Sequence, residues 1–377
     1  MLTLNTLSLR AALTLAKGAI MARNTIPILS NIRVTSDASG VRITATDMEV
    51  AYLLPVGGAG GGWDLTVPHK QLAGLVAAYK GATVTMEPAE GDRVRVCVGG
   101  MSSHLPTLPV EDYPTLAGVD TFPNKMTLPA PVLRNAFAVP QHAMLTEETR
   151  YDLNGVFMRM LPEKGGVKGA AMVTVATDGR RMVKVETVRP DGVDDGAPGI
   201  IVPRVAVACL LAFLGKSANA VTVEWSDSRL RVTRPDGGVL VSKTIDRSFP
   251  EYERVIPREF PYVVTAPAAE LAETIKRVSS VGSSFHKPVK LTFGGNVVDV
   301  SASDDATGTA SERIDGGLVT TPAEPMEIGF QARYLRDVLA WCGETVEIAL
   351  SDAGRGAVLM RPVGDPTRTF VLMPMRV

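Results

Sequence analysis

Apolar residues alternate with polar ones through many short runs of this chain and recur every third or fourth position through six others, the spacings of half-buried strands and of amphipathic helices. The runs also repeat in order. A strand pattern ending in an Asp turn occurs at Val41 to Glu49, at Val173 to Arg180 and at Val298 to Asp305. A short apolar strand leads straight into helical spacing at Leu65-Thr66-Val67-Pro68, at Ile200-Ile201-Val202-Pro203 and at Met326-Glu327-Ile328-Gly329-Phe330. An alternating strand, an acidic turn and a second strand follow at Val84 to Val96, Val221 to Val232 and Val346 to Met360. Successive copies lie about 130 residues apart, so three similar α+β domains in tandem are expected, each reading helix, strands, helix, strands. The Pro-rich segment Leu105 to Asn124 and the segment Phe249 to Pro257 place the domains at 1–124, 125–256 and 257–377.

Two tracts, Gly57 to Gly62 and Asp191 to Gly199, read as surface insertions between strands. The first lacks the Lys-Ser/Thr of a phosphate cradle and runs into a strand pattern, so it is expected to be a flexible hairpin loop. Pro140 is expected to shorten or kink the first helix of the second domain.

Across the helices, apolar stripes oppose sparse cations. Leu9, Ala12, Leu13 and Ala16 oppose Arg10, Thr14 and Lys17; Leu271, Ile275 and Val278 oppose Lys276 and Arg277; Leu335, Val338 and Leu339 oppose Arg333 and Arg336. The second domain contributes Arg134 and Arg204. Six helices showing cations on equivalent faces suggest one continuous surface.

Bulk properties narrow the classes. A chain of 377 residues with 45% hydrophobic and 21% charged residues is ordinary globular material. Its longest apolar run, Val205 to Leu214, is too short to span a bilayer, and with no secretory pattern at the start a cytoplasmic protein is expected. Cys97, Cys209 and Cys342 have no paired spacing, and His69, His104, His142 and His286 do not cluster, so neither a metal nor any other cofactor is expected. The net charge of −1 means that any hold on nucleic acid must rest on local charge distribution. An enzymatic reading would use Asp304 with Asp305, or Asp47 with Glu49, as metal-binding carboxylates. No nucleophile with a base accompanies them, and their equivalent positions fit turns.

Several local sequences resemble the bacterial DNA polymerase sliding clamp, or beta subunit, family. These are Arg23 to Asn31, Arg150 to Val156, Ala176 to Met182, Ser248 to Pro257 and the terminal Val371 to Val377, and they fall in the family's order over the whole chain. The resemblance implies a DNA-clamp fold, with two helices per domain on antiparallel sheets, and a head-to-tail homodimeric ring around duplex DNA. It also implies a non-catalytic processivity factor in DNA replication that tethers the replicative polymerase. Twelve lining helices at interaxial spacings of roughly 10 Å give a bore of about 28 Å, enough for a duplex; six would leave about 9 Å.

DNA-facing candidates are Arg10, Lys17, Arg23, Lys70, Lys80, Arg134, Arg150, Tyr151, Arg204, Lys276, Arg277, Arg333 and Arg336. Of these, Arg23, Arg150 and Tyr151 come from the resemblance and the rest from helix faces. Glu147 and Asp152, where the family often has an amide or a second aromatic, weaken the DNA contact expected of that loop.

By the same resemblance, a pocket for short peptides from polymerases and the clamp loader is walled by Leu153, Thr177, Gly179, Arg180, Arg181, Met182, Pro250, Arg254 and Val255. It is closed by Leu372, Met373, Pro374, Met375, Arg376 and Val377. Arg180 stands where His is common, which shifts the expected peptide preference. Leu105 on one side and Ser280 and Val281 on the other are the expected dimer interface. A paralogous clamp, such as a replacement or resistance copy, or a partner-binding scaffold not loaded on DNA, is the alternative.

Overall fold

The computed structural model describes residues 1–21, 25–114, 121–147, 149–161, 172–188, 190, 193, 196–282, 287–315, 326–350 and 356–377. Its elements follow one order three times. The first pass is β1 (Leu2–Asn5), α1 (Thr6–Ala16), β2 (Asn31–Asp37), β3 (Gly40–Thr46), β4 (Val50–Val56), the two-residue β5 (Gly58–Ala59), β6 (Trp63–Pro68), α2 (His69–Ala77), β7 (Thr83–Ala89), β8 (Arg93–Val98) and β9 (Met101–Pro106). The second is β10 (Asn124–Pro129), α3 (Ala130–Ala138), β11 (Gly155–Met160), β12 (Met172–Thr177), β13 (Arg181–Thr187), β14 (Ile200–Pro203), α4 (Arg204–Leu214), β15 (Ala220–Trp225), β16 (Arg229–Thr233) and β17 (Val239–Lys243). The third is β18 (Tyr262–Pro267), α5 (Ala268–Val278), β19 (Pro288–Gly294), β20 (Val297–Asp304), β21 (Gly308–Asp315), β22 (Met326–Gln331), α6 (Ala332–Leu339), β23 (Thr345–Leu350), β24 (Val358–Pro362) and β25 (Arg368–Leu372).

The Asp turns explain how the repeat is written locally. In the first copy the Asp47 carboxylate accepts from the backbone N–H groups of Glu49 (2.9 Å) and Val50 (2.7 Å). Asp178 does the same for Arg180 (2.9 Å) and Arg181 (3.0 Å), and Asp304 for Ala306 (3.0 Å) and Thr307 (3.2 Å). The hydroxyls of Thr46 and Thr177 close the first two turns onto the carbonyls of Val50 and Arg181. These carboxylates tie hairpins by local side-chain to backbone bonding. Gly179 sits at φ 85° and Met48 at φ 73°, so the first turn carries left-handed strain that a glycine relieves in the second.

Contacts divide the chain into two compact units, Met1–Asn135 with Arg189–Asp246 and Ala136–Val188 with Arg247–Val377, rather than into three along the sequence. The cause is hydrogen bonding that crosses repeat boundaries. In the first unit one sheet runs β10-β15-β16-β17-β4-β3-β2-β6, so the second repeat continues into the first where Val239 faces Leu53 and Val241 faces Ala51. In the other unit the order β11-β12-β13-β25-β24-β23-β18 joins the third repeat to the second where Thr369 faces Lys184 and Val371 faces Met182. The two joins share one register. The first unit also holds the sheet β5-β1-β7-β8-β9, and the other β21-β20-β19-β22.

Each helix buries the expected stripe. In α1, Leu9, Ala12, Leu13 and Ala16 are buried, and the Asn5 side chain caps the helix by accepting from the Ser8 N–H at 3.0 Å. His69, at the start of α2, makes a 2.8 Å hydrogen bond with the Leu13 carbonyl. The helix before Pro140 ends at Ala138 and a 3-10 turn, Pro140–Ala143, takes over, as a missing N–H requires. The Gly57 to Gly62 tract differs from the expected loop, because Gly58 and Ala59 lie as a strand on Leu4 and Thr3. A Cβ at Gly58 would come within 2.5 Å of the Thr3 carbonyl oxygen, so glycine is what permits the pairing. The 191–199 tract falls largely outside the described residues. Cys209 and Cys342 are buried and burial raises both thiols, Cys342 to about 12, so each stays protonated; Cys97 is half-buried. No helix among the described residues is long and apolar enough to cross a membrane.

Two of the expected DNA-facing cations have another task. Arg10 donates to the carbonyls of Val76 (3.0 Å) and Tyr79 at the end of α2, and Arg134 donates to those of Leu214 (3.5 Å) and Ser217 (3.1 Å) at the end of α4. Both add a charged donor to carbonyls in the turns that end these helices. Arg10→Ala and Arg134→Ala each remove such bonds, and each is expected to lower unfolding free energy by about 1–3 kcal/mol in urea titrations. Lys17→Ala, at an exposed position, is expected to stay within about 0.5 kcal/mol.

Candidate functional site

The β13–β25 join supports a groove on the face of the sheet turned away from the helices. Strand alternation decides its floor: Met182 and Val371 face one another across the join, and Val371 and Met373 point to the same side. Beneath them Val173, Val175, Met182, Tyr252 and Val371 form a buried cluster with Phe157 and Phe249 packed against it. Phe157 and Phe249 stack at 4.8 Å with their planes 3° apart, and Tyr252 meets both edge-on, so this floor is rigid. The cavity above it measures about 170 Å³.

Of the expected pocket residues, Leu153, Thr177, Gly179, Arg180, Arg181, Met182, Pro250, Val255 and Met373 line this cavity together. Four others line it that the expectation omitted: Arg150, Glu251, Tyr252 and Val371. The alternation of Val371, Leu372 and Met373 is the signal that finds Val371 and rejects Leu372, which is 1% exposed and turned into the core. Arg150, expected to face DNA, belongs to this wall, reaching across the bare Gly179 backbone and pairing with Asp152 at 3.6 Å.

Arg254, Pro374, Met375, Arg376 and Val377 are not in the lining. Arg254 pairs with Glu251 at the surface. Beyond Met373 the chain turns onto β22: the Met375 N–H donates to the Gly329 carbonyl at 2.9 Å, and a Cβ at Gly329 would come within 2.5 Å of both the Met375 carbonyl oxygen and Val377. The tail is thus seated against its own domain by a glycine that leaves room for it.

Arg181 touches the cavity, yet its charge is held beneath it. The guanidinium donates to Asp178 (3.0 Å), to Asp337 (2.7 Å) and to the His142 carbonyl, and lies 4.1 Å above the Tyr334 ring centre. Its side chain is 5% exposed. Arg181 thus ties the Asp turn to α6, while Arg180 and Arg150 are exposed at the cavity. Neither ring nitrogen of His142 has a partner among the described residues; burial foremost, with Arg181 nearby, pushes its pKa down to about 4, against the opposing pull of Asp337 and Asp178.

The remaining expected DNA-facing residues are exposed: Lys17, Lys70, Lys80, Tyr151, Arg204, Lys276, Arg277, Arg333 and Arg336. Lys276 lies 3.6 Å from Glu273, Arg333 lies 3.8 Å from Asp337, and Arg277 forms a bidentate pair with Glu312, which reduces the net field of those helices. Arg23 lies outside the described residues. Among the expected interface residues, Leu105 is buried on the inward side of β9, while Ser280 and Val281 sit in a 3-10 turn after α5, where the Val281 carbonyl accepts from the Thr307 hydroxyl.

Arg181→Met removes the buried cation between Asp178 and Asp337 and is expected to cost about 3 kcal/mol of unfolding free energy in urea titrations. The His142 ring is neutral when folded, so between its unfolded value near 6.5 and about 4 the unfolded chain binds a proton that the folded chain does not. Stability therefore falls as pH drops through that window, and His142→Gln is expected to flatten the decline in acid titrations of the unfolding midpoint.

Three family profiles match the chain: the DNA polymerase III beta subunit N-terminal domain over residues 1–117, its central domain over 127–251 and its C-terminal domain over 253–376. The Beta sliding clamp of Caulobacter vibrioides is 31% identical over 385 residues, covering 100% of both chains. A crystal structure of the Caulobacter crescentus beta sliding clamp superposes with a TM-score of 0.90 at 30% identity, covering 100% of this chain and 99% of that one. A Bartonella birtlesii sliding clamp bound to griselimycin gives 0.91 at 29% identity with the same coverage. Three tandem domains with two helices each, the shared sheet register and full-length similarity agree, and the chain belongs to the DNA polymerase III beta subunit family, the bacterial sliding clamps.

Proposed function

We infer that this protein is the processivity clamp of DNA polymerase III, a non-catalytic homodimer that closes head to tail into a ring around duplex DNA. Its domains are 1–124, 125–256 and 257–377, and it works in the cytoplasm. The polymerase, the clamp loader and other partners dock short peptides with apolar anchors in the groove of Met182, Val371 and Met373, where flexible methionines adapt to the anchor and Arg180 and Arg150 meet peptide carbonyls or carboxylates. Exposed Lys17, Lys70, Lys80, Arg204 and Arg336, without ion pairs among the described residues, supply a thin positive lining. A ring held by topology needs little affinity, and dense phosphate contacts would brake sliding.

The observation that carries the ring is an arithmetic of edges. Three equivalent joins are possible between repeats, and the chain makes two, β17 with β4 and β25 with β13. The strands equivalent to the third pair, β9 and β21, each end a sheet with no strand beyond among the described residues. Exposed edges of this kind invite pairing, and pairing β9 of one protomer with β21 of another at the shared register sets Ser102 opposite Ser311 and Leu105 opposite Gly308. The contact moves from the expected Ser280 and Val281 to β21 itself.

Ser102→Cys with Ser311→Cys, oxidised after loading by a clamp loader with ATP, is expected to yield a covalent dimer that stays on circular DNA through denaturant and slides off linear DNA. Absence of the covalent dimer would reject the β9–β21 join. A covalent dimer lost equally from circles and linear DNA would reject encirclement.

A further inference from the structure

Four charged residues line the groove over the β13–β25 join, and three of them are balanced within the chain. Arg181 is buried between Asp178 and Asp337, Glu251 pairs with Arg254, and Arg150 lies 3.6 Å from Asp152. The nearby Asp178 carboxylate is committed to Arg181 and to the N–H groups of its own turn. Arg180 is the exception. Its side chain is exposed at the cavity and has no ion pair among the described residues.

The first repeat shows what this position does when its charge is balanced. Glu49 and Lys243 lie two residues beyond the facing pair Ala51 and Val241, as Arg180 and Met373 lie two residues beyond Met182 and Val371. The backbone bond is the same in both joins: the Lys243 N–H donates to the Glu49 carbonyl at 2.9 Å, and the Met373 N–H to the Arg180 carbonyl at 2.9 Å. In the first repeat the Lys243 ammonium also reaches the Glu49 carboxylate across the join, at 2.8 Å. The second repeat has a cation in place of that carboxylate, and across the join a methionine in place of the balancing charge. Side chains facing one another across antiparallel strands have Cβ atoms about 5 Å apart, so the Arg180 side chain starts beside the half-exposed Met373.

We propose that Arg180 makes this groove select partner peptides carrying an Asp or Glu within two residues of an apolar anchor. The anchor lies on Val371 and Met373, and the peptide carboxylate supplies from outside the opposite charge that Lys243 supplies to Glu49 from within. Alternate side chains of an extended peptide stand roughly 7 Å apart on one side, which spans the step from Met373 to the Arg180 guanidinium. An exposed guanidinium–carboxylate pair adds little affinity but separates acidic from basic sequences, so the apolar anchor holds the peptide and Arg180 chooses it. The inference rests on the reading of this groove as the partner site, and adds to it the charge of the partner and the residue that reads that charge.

The test is calorimetric titration of the full chain with end-capped serine octapeptides that carry two leucines at alternate positions and an aspartate two residues from one of them, on either side. Peptides with asparagine or lysine in place of the aspartate are the controls. The better aspartate peptide is expected to bind about fivefold more tightly than its asparagine counterpart, a preference that shrinks at high salt. Arg180→Gln is expected to bring the two affinities together, and Arg180→Glu to turn the preference toward lysine. Met373→Glu is expected to abolish binding of every peptide, which places them in this groove, and circular dichroism melts establish that each variant is folded. Equal binding of the aspartate and asparagine peptides by the unaltered chain, or a preference that survives Arg180→Gln, would overturn the proposal and leave the groove as the partner site. Absence of binding by every peptide, or binding indifferent to Met373→Glu, would overturn the partner-site reading and this inference with it.

Discussion

Backbone hydrogen bonding along strand edges is the constraint from which the rest of this molecule follows. An unpaired edge presents donors and acceptors that must find partners, and the repeats satisfy one another: β17 completes β4, and β25 completes β13. Because both joins have one register, they place the same side-chain positions on the outward face. The groove over the β13–β25 join is a consequence of that register, and β9 and β21 each stand at the end of a sheet.

Within that frame, arginine serves three different purposes decided by local geometry. Arg10 and Arg134 terminate neighbouring helices. Arg181 is buried between Asp178, Asp337 and the Tyr334 ring, where removing it would leave uncompensated charge. Arg180, next to it in sequence, is exposed at the groove. Strand alternation separates these last two: one faces the core side of the turn and the other the solvent side. The third repeat has Ala272 where the first two have Arg10 and Arg134, and a space of about 560 Å³ opens there between α5 and the end of α6. A single missing side chain thus distinguishes otherwise equivalent helix pairs.

The two joins show how a repeat diversifies without altering its strand register. At one ladder position Phe157, stacked on Phe249, stands in the second repeat and Arg33, held by both carboxylate oxygens of Asp64, in the first. The strands keep one register in both joins.

By itself the sequence determined the threefold order of elements, the buried stripes of the helices, the Asp turns and the family, because these are written in short-range periodicity and contiguous motifs. It also brought together most of the lining of the groove over β13–β25, since Thr177 to Met182 and Pro250 to Val255 are each continuous. What only the tertiary structure decided were the properties that depend on residues far apart in the chain. These include the capture of Arg10 and Arg134 by helix-end carbonyls, the burial of Arg181 against Asp337, the place of Arg150 in the groove wall, the seating of the tail on Gly329 and the strand at Gly58. A charged side chain reads as exposed in any local window. Whether it reaches water, a carbonyl or a carboxylate is settled only when another segment arrives beside it.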